Sequence, residues 1–499
     1  MILYGLLDRR IEMETNKKSI LIGNGLDIQV GGNDYLNNWI MVRLLAKLKM
    51  GKYDLLFSNI ISGDEIIFVF NNMIGIANKA REGEYEKIID NCEDKELSND
   101  LKKTLYDFNT YHKKTIKSVD EIGMEDWIML FQLYLLEPKD LLGQYKSIKQ
   151  GYQQMILDAI FCEGKIQKLH EKLGKKAKDY FGQFDNIFTL NYDSMIEKAT
   201  RQKVFHLHGD FNTLHFSENP QNAYGYYRRK NKLIKSKSEW KHCNSTAILD
   251  FNGNLKYKFA IQQTTLYNKF ENDKQLIYDG KISEDEYLSS IQDDCKMFVK
   301  IGIDKNLYLG NNYYFDKFED LSGELSIIGL SPYNDSHIFE CINRSNLDFV
   351  KFYYFFNTSE KSEIEKQLKT IKLNINKPYE IFNINDLWQE LDIFIPQRKV
   401  YNITNEELKA INMFGFGESL TKQEILYQVN NIPSATRDII IEMLNSELTK
   451  EKYHRSSKDE KELIKILTEF GRVLNVASLS PQVLFFLFFE NYNSRSKRS

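Results

Sequence analysis

The chain repeatedly sets a short, β-forming apolar run directly before a cluster of glycine or small polar residues, and follows the cluster with a helical pattern. Ser19-Ile20-Leu21-Ile22 runs into Gly23-Asn24-Gly25-Leu26-Asp27. Phe184 to Leu190 stops at Asn191-Tyr192-Asp193 before a helical stretch from Ser194 to Thr200, and Lys203 to Leu207 ends at His208-Gly209-Asp210. Glu324 to Ile328 ends in Gly329-Leu330-Ser331-Pro332-Tyr333-Asn334-Asp335-Ser336-His337, ahead of helical pattern from Ile338 to Ser345. Phe349 to Phe355 and Tyr379 to Phe382 repeat the motif, with helices running through Thr370 and from Asn385 to Leu391. Alternation of this kind predicts an α/β fold with a Rossmann-like, doubly wound parallel sheet. Polar residues where parallel strands end lie where open sheets of this type bind ligands.

Between these core segments the spacing changes. Residues 1–18 read as a flexible leader and the core as 19–395. It is interrupted by a helical insertion over about 36–181 and an irregular one over about 211–321. Within the first insertion, Asn37 to Met50, Asn71 to Ile89, Met124 to Leu136 and Tyr152 to Tyr180 carry apolar residues at three- and four-residue intervals. Glu65 to Phe70 fits a strand or a buried helical turn, and the charged stretches Asp90 to Asp100 and Lys113 to Asp120 read as solvated connections. After Pro396 five short helical patterns follow without intervening strands, so 396–499 is expected to form a C-terminal, mainly helical domain.

Composition narrows the class of partner. A hydrophobic content of 42% over 499 residues supports a large core, and Lys+Arg 67 against Asp+Glu 70 leaves no net charge that would drive wholesale attachment to nucleic acid or membrane. The aromatic and basic run Tyr224 to Lys230 reads as a solvated loop, and a nucleic-acid partner is not expected. The five cysteines are dispersed and contain no CxxC pair, which fits a reducing, cytoplasmic setting rather than a disulfide framework or zinc knuckle. No apolar run approaches the ~18 residues that span a bilayer.

The strand-end groups have a shared chemistry. Glycines 23 and 25 allow a tight turn and close backbone approach, with Asp27 either at a ligand or capping the helix. Asn191 can donate and accept toward ribose hydroxyls, and a histidine titrates near neutrality. In an extended segment His206 and His208 share a face, so either could point into a pocket; His337 reads as a helix-start residue.

The order of the glycine turn, Thr189-Leu190-Asn191-Tyr192-Asp193, His208-Gly209 and Gly329-Leu330-Ser331 resembles the sirtuin-type NAD-binding fold, in particular the SIR2-like proteins of bacterial antiphage defence. Asn24-Gly25-Leu26-Asp27 with Asn334-Asp335 is also similar to the AbiH abortive-infection family. The likeness covers roughly residues 19–395. It implies NAD as substrate, with Asn191, Asp193 and His208 as catalytic residues. Gly23, Asn24, Gly25, Asp27, Tyr192, Gly209, Gly329, Ser331, Asn334 and Asp335 would contact the nucleotide. The four-cysteine zinc module that deacylating sirtuins carry after the His-Gly is missing, so hydrolysis of the nicotinamide glycosidic bond is expected rather than deacylation, with no metal. Unregulated loss of NAD would kill the host, and two helical regions remain without a role, so a homo-oligomer and a phage trigger or second defence protein that controls it are expected. Two rivals stand beside this reading. One is a catalytically silent nucleotide sensor, and the other is a metal-dependent hydrolase built on His206, His208 and Asp210.

Overall fold

A computed structural model describes residues 17–213, 226–229, 232–235, 242–283, 285–286, 289, 312–450 and 457–496, less short segments at 58–59, 93–94, 137–144, 244, 333–334, 359, 397–399, 414–415 and 417–418. Most of the expected leader, and Asn334 among the expected nucleotide contacts, lie outside them.

Among the described residues eight strands are formed: β1 (Lys18–Ile22), β2 (Asn186–Thr189), β3 (Val204–His206), β4 (Tyr226–Arg229), β5 (Lys232–Lys235), β6 (Ser322–Ile328), β7 (Asn346–Tyr354) and β8 (Tyr379–Asn383). β4 and β5 make a separate antiparallel pair; the other six form one all-parallel sheet in the order β3-β2-β1-β6-β7-β8. The chain thus builds outward from β1 to β3, returns to the middle, and builds outward again from β6. This is the doubly wound, Rossmann-like arrangement, with its topological switch between β1 and β6. Those two strands run in register to their ends, Ile22 opposite Ile328.

Strands covered on both faces are apolar almost throughout. Ile20, Leu21 and Ile22 are each fully buried, and the period of two sends Leu21 to one core and its neighbours to the other. The Leu21 side, with Phe188, Phe205, Leu325 and Ile327, packs against helices Gly253–Tyr278 and Ser336–Arg344. The Ile20/Ile22 side continues into the helical insertion.

Two local expectations change, the charged connection and the irregular insertion, and other segments gain definition. The segment Glu65 to Phe70 is helical, within Gly63–Asn71, because Ser62 and Glu65 form a reciprocal capping box. The stretch read as a charged connection enters helix Lys95–Tyr111, which buries Leu97, Leu101, Leu105 and Phe108 along one stripe. The insertion read as irregular contains the 26-residue helix Gly253–Tyr278. The helices after Pro396 share one continuous core with the N-terminal insertion. Buried Asp34 caps helix Ser434–Lys450, accepting from the backbone N–H of Ala435 (3.1 Å) and Thr436 (2.9 Å), and Arg43 donates to Thr436 Oγ1 at 3.0 Å. No helix among the described residues is long and apolar enough to cross a membrane.

Candidate functional site

The glycine turn after β1 meets the glycine after β6 backbone to backbone. Gly23 N donates to Ile328 O (2.8 Å) and Gly25 N to Gly329 O (2.9 Å). A Cβ on Gly23 would stand 2.6 Å from Gly329 O, and one on Gly25 2.6 Å from Gly329 Cα, while Gly329 itself has φ +70°. Glycine is therefore required at all three positions to let the two strand ends touch. The amides of Gly23 and Gly25 are spent on this contact rather than left open for a phosphate.

Asn191 closes the same corner from β2. Thr189 Oγ1 donates to Ile22 O (3.1 Å) and accepts from Asn191 N (3.0 Å), which turns the asparagine back over β1. Its Nδ2 donates to Gly23 O (3.3 Å) and Asp27 Oδ1 (3.1 Å). Among the described residues the Asn191 amide oxygen has no hydrogen-bond partner.

Asp27 does not cap its helix: no side-chain cap is formed there, and the carboxyl group points instead at Asn191 and Asp193. Asp27 and Asp193 are both buried, and each carboxyl group acts on the other. Burial first, and then the charge of Asp193, pushes the Asp27 carboxyl well above the usual range. Burial lifts Asp193 to about 6, against the backbone N–H of Met195, which donates to Asp193 Oδ1 at 2.6 Å. Two buried carboxyls in contact share a proton because both cannot ionise there.

The two histidines diverge, because β3 ends at His206 and the chain then turns. The His206 ring is held by Asn191 O (2.9 Å, Nδ1) and by the Glu197 carboxylate at Nε2. Burial pushes this ring down, but Glu197 outweighs it and holds the ring up at about 9. His208 Nε2 lies 3.0 Å from His337 Nε2, both rings buried and both held well below the usual histidine range by burial and by Lys256. Asp210 Oδ1 accepts from the amides of Asn212 (2.7 Å) and Thr213 (2.8 Å). His206, His208 and Asp210 therefore do not converge as ligands of one metal ion.

The chain matches no family model, no curated protein and no solved structure.

The remaining expected contacts are divided between the two groups. Tyr192 is buried with its hydroxyl on Ile248 O (2.9 Å), and Asn24 turns its amide toward Tyr35 O (3.4 Å). Gly209 (φ +80°) lies so close to Thr246 O that a Cβ would stand 2.1 Å away. Ser331 follows the Gly329 contact, and Asp335, in left-handed backbone (φ 54°), stands immediately before helix Ser336–Arg344 beside the histidine pair. Sequence reasoning missed the partnership of His208 with His337, and the ion pair of buried Lys256 with half-buried Glu125 (2.7 Å) near it. Nothing in a single sequence distinguishes Lys256 from the other lysines of a polar helix.

Proposed function

We propose that the chain hydrolyses the nicotinamide N-glycosidic bond of NAD, giving nicotinamide and ADP-ribose, and serves antiphage defence by depleting NAD. The observation that carries this reading is the cluster of Asn191, Asp27 and Asp193 beside the β1–β6 switch, where a doubly wound sheet receives a nucleotide. A proton on Asp27 also removes the repulsion that a carboxylate would exert on a pyrophosphate.

In this reading the Asn191 amide oxygen orients a water or ribose hydroxyl. Water forms a bond to C1′ as the glycosidic electron pair leaves with nicotinamide, which becomes neutral. The water proton passes to Asp193 and from there to solvent. The protein supplies orientation and negative charge beside an oxocarbenium-like centre. The resemblance gives the proton to His208; we assign it to the carboxyl pair, since Asn191 is bonded to Asp27 while His208 is engaged with His337.

The test is chromatography of NAD incubated with the purified chain. Nicotinamide and ADP-ribose in equal amounts support hydrolysis. Binding of NAD with no nicotinamide released would favour the silent nucleotide sensor.

A further inference from the structure

We propose that His208, His337 and Asp335 form a binding site for a divalent first-row transition-metal ion, zinc foremost. One ring nitrogen from each histidine and a carboxylate oxygen of Asp335 all lie within 4.8 Å of one another. Donors about 2.0–2.2 Å from a tetrahedral ion stand roughly 3.3–3.6 Å apart, so the two imidazoles, whose Nε2 atoms are 3.0 Å apart, would part slightly to receive it.

The histidine pair is not a completed hydrogen-bond network. The Nε2 atoms approach to 3.0 Å, yet His337 Nδ1 is buried with no partner. Whichever ring donates across the pair, one buried nitrogen of His337 is left unsatisfied, which is costly for a structural contact alone. The supports are fixed: Ile248 N donates to His208 O at 2.8 Å, and Asp335 and His337 open one helix.

Charge is also accounted for. Lys256 would oppose a cation, but its ammonium is paired with Glu125 at 2.7 Å. Glu125 and Asp335 against Lys256 leave one excess negative charge when both carboxyls are ionised. Two imidazoles and one carboxylate suit zinc or a neighbouring transition ion better than magnesium or calcium, which prefer oxygen ligands. Asn191, Asp27 and Asp193 take no part, so this site stands or falls separately from NAD hydrolysis.

The experiment uses the full chain without a histidine tag, stripped with chelator, reloaded with Zn²⁺ or Co²⁺, and read by metal content and by the visible spectrum of bound Co²⁺. The wild type is expected to hold about one ion per chain. His337→Gln and Asp335→Asn should each weaken uptake at least about tenfold, with circular dichroism showing that they are folded. Cys243→Ser tests the other compact donor group, Asp158, His242 and Cys243, and should leave uptake unchanged. The site is overturned if the wild type holds no stoichiometric ion, if folded His337→Gln and Asp335→Asn keep it, or if Cys243→Ser is the variant that loses it.

Discussion

Asn191 Nδ2 donates to Asp27 Oδ1 at 3.1 Å, tying the end of β2 to the first turn of the helix after β1, with the Asp193 carboxyl buried beside that of Asp27. Both carboxyl groups are held above the ordinary range, so the folded chain binds their protons more tightly than the unfolded chain does. Stability from this pair is present below pH ~4 and is lost as pH rises through about 6, the value for Asp193. Asp27→Asn should therefore stabilise the fold at pH 8 by about 1–3 kcal/mol, with the gain shrinking toward pH 4. Melting temperatures of both proteins across this range test it; a constant or inverted difference would contradict a shared proton.

His206 and Glu197 have the opposite partnership. The ring is raised to about 9, so this pair stabilises fully below pH ~6.5 and is lost as pH rises through about 9. Glu197→Gln should cost about 2–4 kcal/mol at pH 6 and progressively less above pH 9. Denaturant titrations at the two pH values measure the difference, and an equal cost at both would rule out a charged ring.

Gly329→Ala should destabilise the chain by about 2–4 kcal/mol. The residue has φ +70°, and its Cβ would stand 2.7 Å from Gly23 O, so neither the backbone nor its neighbour can yield cheaply. A melting temperature within a degree of wild type would show that the strand ends part readily.

The strands were legible in the chain because a sheet covered on both faces needs nearly continuous apolar runs, as at Ile20 to Ile22 and Leu325 to Ile328. Asn191 and Asp193 were legible because polarity returns abruptly where β2 stops. Helix Gly253–Tyr278 was not, since its many Lys, Asn and Gln residues blur the apolar stripe. The contact between Asp27 and Asp193 was hidden for another reason: it depends on the depth at which two distant turns meet. His337 does start a helix, as its position suggests, but burial beside His208 is a tertiary fact.

Asp34 and Arg43 give the C-terminal helices a polar attachment to the N-terminal insertion. Asp34→Ala removes the cap of helix Ser434–Lys450 and leaves fully buried Arg43 without its carboxylate, at 3.6 Å. The expected cost is about 3–5 kcal/mol. Limited proteolysis should then cut after residue 396 sooner than in the wild type; an unchanged cleavage pattern and stability would count against this attachment.

The central claim is that Asn191 and the carboxyl pair form the cleaving centre. The rate of nicotinamide release from NAD, measured for wild type, Asn191→Ala and Asp193→Asn alongside NAD binding by calorimetry, tests it most directly. Both variants should still bind NAD and release nicotinamide about 10²–10³-fold more slowly; wild-type release rates in either variant, or no release by the wild type, would contradict the account.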